Sequence, residues 1–287
     1  MDKPLHFICG MPRSGATLLC NILAQNPRFH CTSPPGILDV MFLVRRQWND
    51  TAEFLATPNE PGKQRVLKAL LESFFAAGGI TRPVLFDKSR AWLAMIEMAE
   101  TLLEHPAKIL VPVRDVRDIL ASFEVIWRNN AVMRELTEKS ATDASWETLG
   151  GRCDIWVRGD QPIGLCYNRI RDALMLGYRD RIHFVEYEQL TRNPRQTLAD
   201  IAEFLNEPQF EYDFDHVEQV TLDFDEMYPI PGLPPLRPKV EPTEPRWPFV
   251  LGAFADKYAS NNHLWQQFRR TEDAATAATL VAGPRLA

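Results

Sequence analysis

Near the start of the chain, Gly10-Met-Pro-Arg-Ser-Gly15-Ala-Thr17 brackets a single arginine between two glycines in a GxxxxG frame. Small residues at this spacing let successive backbone N–H groups turn toward an anion, and a helix beginning there adds the favourable end of its dipole. The chemistry implied is binding of a phosphate or sulfate group. A nucleotide triphosphatase would carry Lys at position 16 and hold Mg²⁺ on the following hydroxyl residue. Position 16 is Ala, and the cation sits inside the loop as Arg13. The planar guanidinium fork of Arg suits bidentate anion binding. This pattern speaks against an ATP-dependent kinase.

A second string, Arg114-Asp-Val-Arg-Asp118-Ile-Leu-Ala-Ser122, follows an apolar run, so that Arg114 ends a strand and Ser122 lies two turns into the next helix. Alone, the early Asp residues of such a helix need do no more than complement its dipole. Taken in order, the two strings resemble the motifs of sulfotransferases that use 3′-phosphoadenosine 5′-phosphosulfate. PRSGATLL is similar to the family's 5′-phosphosulfate loop, usually written PRSGTTLL, and Arg114 with Ser122 to its 3′-phosphate motif. Ala16 stands where the family has a hydroxyl residue, which removes one donor and leaves Arg13, Ser14, Thr17 and the backbone. The resemblance continues through Gln25-Asn-Pro-Arg-Phe-His30, Ser33-Pro-Pro, Phe86-Asp-Lys-Ser-Arg90, Val185-Glu-Tyr-Glu-Gln-Leu190 and Gly232-Leu-Pro-Pro-Leu-Arg237-Pro-Lys239. It is to the bacterial branch related to tyrosylprotein sulfotransferases.

The resemblance implies sulfuryl transfer to a hydroxyl acceptor, with adenosine 3′,5′-bisphosphate (PAP) as the product nucleotide. It assigns Arg13, Ser14, Gly15, Ala16, Thr17 and Leu18 to the 5′ end of the cofactor, and Arg114 and Ser122 to its 3′-phosphate. Tyr187, at a strand end, approaches the nucleotide in relatives, and Arg237 and Lys239 belong to a loop that would close on the phosphates. Lys88 matches a catalytic lysine of tyrosylprotein relatives; with Arg13 it would stabilise charge on the bridging oxygen. A sulfuryl group carries less charge than a phosphoryl group, so no divalent metal is required. The general base is open: His30 and Asp39 are candidates, and Ser33 cannot serve alone. Phe29, Met41, Phe42, Trp48, Trp127, Trp146 and Trp156 suggest a small-molecule or phenolic acceptor, with peptide tyrosine as the alternative. A noncatalytic nucleotide-binding protein is the alternative of another class.

These residues require a scaffold. Buried strands are expected at Leu5–Met11, Pro83–Asp87, Lys108–Val113 and Arg181–Tyr187, with helices at about 15–25, 91–103 and from 116, and another opening at Asn193-Pro194. Strands alternating with helices predict an α/β fold, a parallel sheet flanked by helices, whose ligands bind beyond the carboxyl ends of the strands. The family resemblance makes this a P-loop nucleotide-kinase-like sheet. The stretches 27–82 and 129–177 read as helical caps over the cofactor edge. One domain is expected over residues 1–270, followed by a frayed tail at 271–287, and the proline-rich 228–248 as an ordered loop wrapping the domain.

The composition sets the remaining limits. The 287 residues carry 32 Lys and Arg against 38 Asp and Glu, a net charge of −6 that disfavours a general nucleic-acid binder. There is no apolar run long enough for a membrane span. The 5 cysteines show no CxxC spacing, so neither a disulfide framework nor a zinc cluster is expected. The acidic run 211–226 reads as a solvated connector without a calcium-loop pattern. The cytoplasm is the default compartment, and the oligomeric state is left open.

Overall fold

Five strands pair in parallel in the order β2-β3-β1-β4-β5. The computed structural model describes residues 3–31, 36–77, 79–131, 134–135, 144–221, 237–259 and 264–267. β1 is Leu5–Ile8, β2 Phe29–Cys31, β3 Val84–Lys88, β4 Ile109–Val113 and β5 Ile182–Glu186. Four of these fall on the apolar runs. β2 departs from the helical reading of 27–82. Three residues are too few to display a period, and the strand exists because Phe29, His30 and Cys31 pair with Val84, Leu85 and Phe86 along the flank of β3.

With β1 central, the chain winds first to one side and then to the other. The crossover point lies at the carboxyl end of β1, where ligands of open parallel sheets bind. Helices cover both faces. On one face, α1 (Ala16–Leu23) sets Leu19, Ile22 and Leu23 against Ile8, Phe86 and Leu110. On the other lie α2 (Ile37–Asp50), α3 (Ala52–Ala56), α4 (Glu60–Ala77), α5 (Ile96–Leu103), α6 (Val116–Asn129), α7 (Leu149–Trp156) and α8 (Pro162–Met175). The segments expected as caps are anchored on this face, since Met41, Leu71, Trp156 and Ile170 join Phe7 and Val111 in one core. Each such side chain contributes about 1.5–3 kcal/mol on burial. Past β5 come α9 (Tyr187–Arg192) and α10 (Pro194–Leu205), the latter opened by Pro194 and closed by Asn206 in the left-handed conformation.

Part of the proline-rich region is described, and that part packs on the domain. Val240 N donates to Phe214 O at 2.8 Å, Val217 N donates to Pro238 O at 2.6 Å, and Val240 is buried. The chain then enters α11 (Trp247–Val250). Residues 222–236, Ser33 and the tail 271–287 lie outside the described residues. Among those described, no helix is long and apolar enough to cross a membrane.

Candidate functional site

The loop between β1 and α1 is shaped by close contact with its neighbours. Gly10 lies against β4 so tightly that a Cβ would stand 2.3 Å from Pro112 O. Met11 N donates to that same carbonyl at 3.1 Å. The buried Ser14 hydroxyl lies 2.6 Å from Met11 O and 2.9 Å from Pro112 O. Its single proton serves these carbonyls, so the side chain fastens the loop to β4 rather than facing an anion. Arg13 and Gly15 both take the left-handed conformation, at φ 59 and 88. Gly15 is required there, because a Cβ would come within 2.7 Å of the Tyr187 ring. For Arg13 the same conformation costs about 1–2 kcal/mol. No side chain caps the start of α1. The N–H groups of that first turn, left without a side-chain cap, are of the kind that can receive an anion.

Arg13 reaches the second motif. Its Nε donates to Ser122 Oγ at 3.2 Å, joining two strings far apart in the chain. Arg114, just beyond β4, lies over the Tyr187 ring at 4.3 Å and donates to Arg13 O at 3.5 Å. Asp118 Oδ2 lies 3.6 Å from it, while Arg114 Nε is buried without a hydrogen-bond partner. Lys88, ending β3, donates to Thr17 Oγ1 at 3.1 Å. Arg13, Thr17, Lys88, Arg114, Ser122 and Tyr187 therefore form one constellation on the carboxyl edge. Ala16 and Leu18 occupy the first turn of α1 beside it, where Leu18 packs toward the apolar layer and only its backbone can serve an anion.

Other candidates lie elsewhere. Arg237 is exposed, and Lys239 pairs with Asp215 at 3.3 Å, their side chains 61% and 68% exposed. His30 sits within β2, where burial and the charges of Arg82 and Lys3 lower its pKa. Those cations stand at the amino ends of β3 and β1, opposite the constellation. Asp39 is exposed in the first turn of α2, close enough to raise the pKa of Asp87. Among the aromatic candidates, Phe29 and Trp156 are core residues, as is Met41, while Trp127 and Trp146 pack against that core. Phe42 remains exposed, and Trp48 stacks on Phe54 at 4.1 Å, so α2 and α3 hold what is left of the apolar acceptor surface.

Several polar residues that support the site were not singled out from sequence. Asn21 of α1 is buried; its Oδ1 accepts from Val220 N and Thr221 N at 2.6 and 3.1 Å, and its Nδ2 donates to Thr17 O at 2.9 Å. Asp118 of α6 accepts from Arg246 N and Trp247 N at 2.8 and 3.2 Å. Glu124, fully buried, takes Arg152 on both oxygens at 2.9 and 2.6 Å and Arg128 at 2.7 Å. A signal for Glu124 was present: it falls four residues after Leu120 and three before Trp127, on the apolar stripe itself. Asp87 is buried with neither oxygen hydrogen-bonded. Burial pushes its pKa up to about 7; the nearby Trp92 indole opposes the rise without reaching hydrogen-bonding geometry.

Comparison with known proteins follows the same lines. Protein-tyrosine sulfotransferase 1 of Danio rerio is 24% identical over 212 residues, covering 72% of this chain and 54% of the relative. Protein-tyrosine sulfotransferase 2 of Gallus gallus is 27% identical over 209 residues, covering 71% and 51%. The chain thus spans about half the length of the curated relatives it matches. A solved sulfotransferase from Alicyclobacillus acidocaldarius aligns with a TM-score of 0.47 at 16% identity, over 92% of this chain and 96% of that one. The model of the sulfotransferase domain family matches residues 3–227. That match takes in both anion motifs and Lys88, and by it the chain belongs to the sulfotransferase domain family.

Proposed function

We propose that the protein transfers a sulfuryl group from 3′-phosphoadenosine 5′-phosphosulfate to a hydroxyl acceptor, a small molecule or phenol. The observation that carries this reading is the 3.2 Å contact from Arg13 to Ser122, because it joins a 5′-phosphosulfate loop to a 3′-phosphate motif. The residues fit the nucleotide: the start of α1 has no side-chain cap, and Arg114 keeps a buried Nε without a partner.

When bound, the cofactor supplies a sulfuryl group of lower charge than a phosphoryl group, so alignment and charge stabilisation carry the reaction. In this chain the first turn of α1 and Arg13 hold the 5′ end, and Arg114 and Ser122 hold the 3′-phosphate. Tyr187 fixes Arg114 by stacking on its guanidinium. Lys88, steadied on Thr17, acts with Arg13 on the charge that develops at the bridging oxygen. Asp39 is the group proposed to take the acceptor's proton, since it is exposed near the carboxyl edge whereas His30 belongs to the opposite end. Peptide tyrosine is the second reading, favoured by the similarity to proteins named protein-tyrosine sulfotransferases.

Calorimetry with adenosine 3′,5′-bisphosphate, set against ATP with Mg²⁺, tests the cofactor. Tight binding of the bisphosphate is expected, and preference for ATP overturns the reading. Arg13→Ala is expected to remove about 2.7–4 kcal/mol of transition-state stabilisation, the worth of one preorganised donor. Near-normal turnover in that variant rejects the role of Arg13. Radiolabelled sulfate transfer to phenols, steroid-like alcohols, tyrosine peptides and oligosaccharides decides the acceptor, and transfer confined to oligosaccharides rejects a phenol.

A further inference from the structure

The two helices that follow the anion motifs each hold a later stretch of chain by one buried oxygen. On α1, Asn21 Oδ1 accepts the successive N–H groups of Val220 and Thr221. On α6, Asp118 Oδ1 accepts those of Arg246 and Trp247. A neutral amide is sufficient for this task on α1, so the holding of two N–H groups does not account for a charge at position 118. Nor does the helix end, which Asp115 already caps by accepting from Arg117 N at 2.8 Å. What Asp118 has and Asn21 lacks is an arginine beside its second oxygen: Oδ2 lies 3.6 Å from Arg114.

The segment entered at Arg246 is firmly seated on α6. Arg117 lies over the Trp247 ring at 4.2 Å, and Leu251, Ala255 and Tyr258 are buried in the same core as Ile119 and Leu120. A carboxylate is planar and rigid, so fixing Oδ1 on two N–H groups fixes Oδ2 as well. Moving the segment would move the anion that faces Arg114.

We infer that Asp118 is a positioning residue that couples the orientation of Arg114 to the seating of residues 246–258 on α6. Recognition of a 3′-phosphate and the seating of that segment are then linked, and the linkage is reciprocal. This rests on the proposed binding of a 3′-phosphorylated nucleotide.

The test compares adenosine 3′,5′-bisphosphate with adenosine 5′-monophosphate on the full chain and on Asp118→Asn. The variant keeps an oxygen for both N–H groups and should keep its melting temperature. Its preference for the bisphosphate should fall about tenfold, the scale of one charge-assisted contact. In the unsubstituted protein, hydrogen exchange at the Arg246 and Trp247 amides should slow with the bisphosphate and not with the monophosphate. An unchanged preference in a folded Asp118→Asn overturns the inference. So does exchange that is indifferent to the bisphosphate, a measurement that decides the matter even if the variant fails to fold. Absence of any 3′-phosphate preference in the unsubstituted protein instead overturns the proposed function, and the coupling with it.

Discussion

Along α6, Asp118 and Glu124 lie buried with arginines and main-chain N–H groups brought to them; at the end of β3, Asp87 lies as deep and has no hydrogen-bond partner. The α6 side is a charged scaffold. Arg152 grips Glu124 with two nitrogens, covers Trp127 at 3.8 Å and donates to Trp146 O at 2.9 Å, tying α7 and the turn before it to α6. The β3 side is the reverse, a carboxyl group pushed by burial to a pKa of about 7 beside Lys88. Burial alone therefore does not set what an acid does here. Its partners do, some from the same helix and others, such as Arg152 and the Arg246 and Trp247 amides, from segments distant in sequence.

Removing a partner from the charged scaffold should have the largest effect on stability. Glu124→Ala is expected to cost about 3–5 kcal/mol, because it strands Arg152 in the core. Arg152→Ala should cost less, since Glu124 keeps Arg128 at 2.7 Å, and the double variant less than the sum of the two, since one interaction cannot be lost twice. Urea unfolding of the three variants checks this. Additive losses would mean that the two residues act through separate contacts.

A smaller loss is expected where the same holding duty is neutral. Asn21→Ala leaves the N–H groups of Val220 and Thr221 without their acceptor, a cost of about 1–3 kcal/mol. Preference for a 3′-phosphate should stay as it was, because Asn21 faces Thr17 and not Arg114. A drop in that preference would erase the distinction between α1 and α6.

The parts of the molecule that could be read in the sequence are those whose signal is local. β1, β3, β4 and β5 are short apolar runs bounded by turns, and both anion motifs follow such runs directly. β2 carries no signal of its own. Contacts were harder still: the pairing of β1 with β4 brings Arg13 to Ser122, and helix packing on α6 brings Trp247 to Asp118 and Arg152 to Glu124. Ser14 marks a different limit. Its residue type suits an anion loop, but the fold spends its hydroxyl on Met11 and Pro112. Phe29, Met41 and Trp156, read as acceptor material, are core residues; apolar periodicity cannot distinguish a pocket wall from a core.

The effect expected of Asp87 depends on pH. Unfolded, this carboxyl titrates near 3.8; folded, burial holds its proton to about 7. The folded state therefore binds one proton more than the unfolded state between those values. Stability should fall as pH rises through that window, by about 1.4 kcal/mol per pH unit at most, and level off above it. Asp87→Asn keeps the shape and removes the titration. The variant and the unsubstituted protein should differ little at pH 4, and the variant should gain with each step toward pH 7, by the same slope. Parallel stability curves over that range would show that Asp87 is ionised in the fold and has found a cation, which would make the end of β3 a second charged scaffold like α6.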